Sequence, residues 1–179
     1  MQTGMKPSVI EKPAIEEFNA YYGGYISQVA EPDLLGVLAG QPTEVASLFG
    51  VLDESRGTFA YDEDKWTIKE ILSHVIDGER HFAHRLHRIS RGDLTPIEGF
   101  EQDDYIVNSH ANERTFSDLV AEFSELRQAN LRPLQTLSES DWKRMGTASG
   151  SPISVRALGF IMAGHVRHHL SIVKERYLV

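Results

Sequence analysis

Apolar residues recur at helical intervals over four long stretches of this chain. In the first, from about Asp33 to Thr58, Val45, Leu48, Phe49 and Leu52 fall three and four apart and mark one helical face. Gly40 and Pro42 interrupt that stretch, and Pro42 suits the first turn of a second piece, so a helix in two pieces is expected. Ile68, Leu72, Val75, Phe82, Leu86 and Ile89 form the stripe of a second helix. Thr67 and Glu70 open it as a capping box, with Trp66 and Ile71 as the hydrophobic staple, and it should stop near Gly92. A third helix is predicted from about Thr115 to Gln135, with Leu119, Phe123 and Leu126 inward and Pro133 in its last turn. The fourth runs from the N-cap Ser154 to about Tyr177. No stretch alternates convincingly as a strand would.

Four amphipathic helices predict an all-α fold, a four-helix bundle. Residues 1–32 read as an N-terminal arm that packs on the bundle through Tyr21, Tyr22 and Tyr25, and residues 33–179 as the bundle domain. The connection from Gly92 to Thr115 is long enough to be functional or a crossover.

Composition narrows the functional classes. The net charge of −8 and the lack of a basic run argue against nucleic acid as a partner. No window is apolar enough to span a membrane. The absence of cysteine removes disulfides, thiolate nucleophiles and Cys-ligated metals, and fits a cytoplasmic protein. Histidine, at eight residues, is abundant.

The positions of those histidines carry the chemistry. On the last helix Leu158, Met162, His165, His169 and Val173 form the inward stripe. His165 and His169 are one turn apart on one face, which is good geometry for two ligands on one metal ion. Burying their ring nitrogens without partners would cost about 1–3 kcal/mol each, and a metal relieves one nitrogen per ring. A third ligand is expected from another helix. His74 is the best placed, about 100° from Val75 at the margin of the second helix's stripe. His81 lies about 120° off, and the cluster His81, His84 and His87, which could look like a metal site, reads rather as a solvated face interleaved with Arg80, Arg85 and Arg88. Glu79, about 40° from the stripe centre, is either a general base near the site or one half of an ion pair. Asp103, Asp104, Tyr105 and His110 are candidates for the mouth of a site, and Trp142 and Arg144 for contact with an anionic or thiol substrate.

Several segments also carry a resemblance. Trp66-Thr67-Ile68-Lys69-Glu70-Ile71-Leu72-Ser73-His74 resembles the opening of the second helix in the DinB-like (YfiT-like) metalloprotein family. Gly164-His165-Val166-Arg167-His168-His169 resembles that family's last-helix segment, and the arm Tyr21–Ile26, Arg114–Leu119 and Trp142–Gly146 fall in the same order. The resemblance implies a four-helix bundle with a crossover connection, often a homodimer. It also implies one divalent ion, nickel or zinc, held by His74, His165 and His169. Activities in the family include metal-dependent hydrolysis and S-transfer with a low-molecular-weight thiol. A non-catalytic metal-binding or stress-response role is the alternative.

Overall fold

The computed structural model describes residues 9–178. Its long helices are α2 (Leu34–Phe49), α3 (Ile68–Ser90), α5 (Phe116–Leu134) and α7 (Val155–Ile172), with a π-helical turn, Val173–Tyr177, continuing α7. Short helices α1 (Gly23–Ser27), α4 (Gln102–Val107) and α6 (Glu139–Trp142) lie in the arm and the connections. In the bundle α2 packs on α5 and α7, and α3 packs on the same two helices, so α2 and α3 are diagonal to each other. The consecutive pairs α2/α3 and α5/α7 therefore do not pack side by side, whereas α3 and α5 do, and the connections α2–α3 and α5–α7 must cross the bundle.

The expected caps set the starts of these helices. Thr67 Oγ1 accepts from the Glu70 amide at 3.2 Å, and Glu70 returns Oε2 to the Thr67 amide at 2.7 Å. Thr115 and Ser154 cap α5 and α7 in the same sense, each satisfying an amide that the first helical turn leaves free.

Pro42 does not divide the first helix, contrary to the sequence reading: α2 is continuous through it. A proline there withholds a hydrogen bond from the Leu38 carbonyl four residues earlier. Arg127 of α5 supplies one instead, donating from Nη1 to Leu38 O at 3.3 Å.

Arg127 belongs to a polar layer that separates two apolar cores. One core gathers Leu38, Phe82, Leu86, Leu131 and Met162; the other gathers Val45, Val75, Phe123, Val166 and Leu170. Between them, Arg127 makes two hydrogen bonds to the carboxylate of Glu79, at 3.0 and 2.7 Å, and also donates to Gln41 Oε1. Gln41 in turn donates to the Ala163 carbonyl of α7 at 2.6 Å. All four long helices are tied at this level, and His165 sits on α7 at the same junction.

The connection after α6 holds a second departure from the sequence reading. Met145–Ala148 and Ser151–Ser154 pair as antiparallel strands β1 and β2. Ser149 and Gly150 both adopt positive φ, 49° and 72°, which suits a two-residue hairpin turn. Four-residue strands ending in a Ser-Gly turn are too short for alternation to be legible. Ile97, from the connection after α3, exchanges backbone hydrogen bonds with Thr147 and Ser149 and so ties that segment to the hairpin.

The arm lies on α7. A Cβ on Gly164 would come within 1.9 Å of the Tyr25 carbonyl oxygen, so only glycine allows α1 to sit where it does. Arg156 grips Glu17, one of the two contacts being 2.8 Å, and anchors the arm further upstream.

Candidate metal centre

His74, His165 and His169 are all buried, and one nitrogen from each lies within 4.8 Å of the others. Nε2 of His74 lies 3.0 Å from Nε2 of His165. Two imidazoles on one zinc, with Zn–N near 2.0–2.1 Å, hold their nitrogens about 3.3 Å apart in tetrahedral geometry, so the spacing suits a shared ion. Aromatic edges fix the rings. Trp66 lies 4.7 Å from His74 between centroids, and Tyr25 and Phe82 pack edge-on against His165 at 5.3 and 5.4 Å. The C-terminus holds Trp66 in turn, since the Tyr177 hydroxyl donates to its carbonyl at 2.7 Å.

The protonation state fits a metal. Burial lowers His74 to about 4, with the Asp103 carboxylate partly opposing it. Burial, and then the neighbouring histidines, push His165 and His169 well below the ordinary histidine range. All three rings are therefore neutral near pH 7, the form that ligates. His169 Nε2 is buried with no hydrogen-bond partner. A buried nitrogen left open is expensive in a dry core, and an ion shared with its two neighbours would satisfy it.

Outside this cluster the histidines go elsewhere. His84 and His87 are exposed, and His110 is exposed in the connection before α5. His81 is half-buried rather than solvated, stacked on Phe100 with centroids 3.7 Å apart, and takes no part in the ligand group. Among the described residues, His74, His165 and His169 form the one group spaced to hold an ion. Glu79 has one oxygen on Arg127 and the other shared by Arg127 and Asn130, so the structure shows it in the ion-pair role.

A cavity of about 390 Å³ opens onto His74 and His165. Its walls include Tyr22 and Tyr25 from the arm, Phe82 and Arg85 from α3, and Phe100 and Asp103 from the long connection. Asp103 thus lines this mouth, whereas Asp104 and Tyr105 line a separate hollow beside Arg80 and Arg114. Trp142 is buried against Gly159, and Arg144 pairs with Asp141 and the Ser90 carbonyl, so both serve packing. Arg85 departs from the sequence reading: it is buried rather than solvated, because the hairpin and the segment around Glu98 fold over that part of α3. Helical phase alone cannot reveal such cover. The arm tyrosines were visible as a packing surface, but nothing in their spacing marked them as lining a site.

The sequence model of the DinB superfamily matches residues 38–173. The fold is similar to that of YfiT from Bacillus subtilis, described as a probable metal-dependent hydrolase with an unusual four-helix bundle topology. The TM-score is 0.73 and the identity 18%, over 92% of this chain and 90% of that one. It is also similar to the mycothiol-dependent maleylpyruvate isomerase, with a TM-score of 0.65 and 14% identity over 82% of this chain and 61% of that one. At such identities the likeness is one of fold. No curated protein matches the sequence. No helix among the described residues is long and apolar enough to cross a membrane.

Proposed function

The chain belongs to the DinB superfamily, and on that premise we propose that it is a metal-dependent enzyme, a hydrolase or a thiol S-transferase, acting on a small molecule. His74, His165 and His169 are the ligands of one divalent ion, nickel or zinc. The observation that carries this reading is the buried, neutral histidine cluster, with an open nitrogen on His169 and a cavity that opens onto His74 and His165.

Three protein ligands leave a coordination position free, which is the layout of a catalytic rather than a structural site. The ion would lower the proton affinity of a water or thiol in that position and polarise a carbonyl. The chain's own residues supply the remainder. Trp66, Phe82 and Tyr25 hold the rings still, so the ligand geometry is set before substrate arrives. Asp103 lines the same cavity as His74, and in this reading its carboxylate accepts a proton there. The cavity favours an enzyme over a protein whose metal only stabilises the bundle, since a purely structural site needs no path to it.

Elemental analysis of untagged protein tests the first half: about one equivalent of nickel or zinc is expected, and a protein that refuses both would end the metal reading. Assays with low-molecular-weight thiols such as glutathione, set beside esters and amides, separate S-transfer from hydrolysis. No turnover in either set would leave a non-catalytic binder. The same reading includes a homodimer in the cytoplasm, as light scattering and cell fractionation would test.

A further inference from the structure

Two arginines are buried among the described residues, and they differ in one respect. The charge of Arg127 is met by Glu79. Arg85, 2% exposed, makes no salt bridge among the described residues. Its Nη2 donates to the Ser149 hydroxyl at 2.9 Å and to the Glu98 carbonyl at 3.2 Å, and Nη1 reaches the Tyr22 hydroxyl at 3.4 Å. Its Nε is buried with no partner. A guanidinium does not lose its proton, so a buried cation stands here donating only to neutral oxygens.

The surroundings are built to hold it. Ser149 meets it from a left-handed backbone conformation, and the Glu98 carbonyl is fixed by the hydrogen bonds of the adjacent Ile97 to the hairpin. Arg85 lines the same cavity as His74 and His165. We infer that Arg85 anchors a carboxylate on the substrate, so that the cavity takes a small organic acid whose other end faces the histidines. This rests on the proposed function for what that other end does; the ion pair itself needs no metal.

A carboxylate fits better than a phosphate. Both Nη2 hydrogens are committed to Ser149 and Glu98, so an incoming oxygen meets Nη1, which holds only the long contact to Tyr22. A single cation balances the one charge of a carboxylate but not the two of a phosphate monoester, and each further negative charge adds to the repulsion from Glu101 and Asp103 on the cavity wall. The walls formed by Tyr22, Tyr25, Phe82 and Phe100 suit an apolar or aromatic body between the two ends.

Calorimetric titration of the whole protein, metal-free and zinc-loaded, with benzoate and with its uncharged isostere benzamide tests this. In the metal-free protein benzoate should bind about ten-fold or more tighter, as expected for one charge-assisted contact. That preference cannot come from coordination to zinc. Arg85→Gln should abolish it and Arg85→Lys should keep part of it. In wild type the Arg85 Nε–H resonance should move with benzoate and not with benzamide, a readout that holds even if Arg85→Gln does not fold. Equal binding, binding of neither, a still resonance, or an unchanged preference in Arg85→Gln would each overturn the anchor. A protein that prefers benzoate yet refuses zinc would sink the metal reading and leave this one standing.

Discussion

Gly78 lies directly against the ring of His165: a Cβ there would stand 2.5 Å from Cε1 and 2.9 Å from Nδ1. Helix α3 therefore leaves room for the ring only because this position has no side chain. Gly78→Ala should displace His165 and weaken zinc binding ten-fold or more, while overpacking costs about 1–3 kcal/mol of stability. Competitive zinc titration and urea denaturation measure the two effects, and an unchanged zinc affinity would remove His165 from the ligand set.

His165→Ala should abolish stoichiometric metal binding, and His84→Ala, on an exposed position of α3, should leave it intact. Equal loss in both variants would mean that other histidines hold the metal. In the wild type, zinc at about 100 times its Kd should stabilise the fold by about 2.7 kcal/mol, and a chelator should reverse the gain.

Glu79 offers a test of structural against catalytic work. Removing one charge of its buried pair with Arg127 strands the other, so Glu79→Gln should cost about 3–5 kcal/mol in chemical denaturation. Zinc should still bind. A variant that keeps full stability but loses turnover would return Glu79 to the role of general base.

The arm should respond to acid. Its hydrogen bonds to Arg156 hold the Glu17 carboxyl at about 2, below its usual 4.5. The ionised pair therefore stabilises the protein fully above the ordinary carboxylate range and less as pH falls toward the folded value. Between about pH 5 and about pH 3 the wild type should lose about 1 kcal/mol more than Glu17→Gln, a modest figure because solvent screens the pair. Parallel pH profiles for the two proteins would show that this ion pair does not dock the arm.

Much of the architecture was legible locally. Capping residues Thr67, Thr115 and Ser154 announced the helix starts because each satisfies an amide within its own first turn. The turn-to-turn spacing of His165 and His169 placed both rings on one face, since helical periodicity alone fixes that relation. Pro42 misled because the hydrogen bond that rescues its helix comes from Arg127, 85 positions away in sequence.

By itself, then, the sequence determined four helices, their buried faces and a histidine pair one turn apart, all of which depend on interactions between near neighbours. Only the tertiary structure decided that His74 closes on that pair, that the arm tyrosines and the hairpin enclose a cavity, and that Arg85 is buried without a counter-charge. Each of those depends on which distant segments cover which face, and helical phase carries no information about the cover.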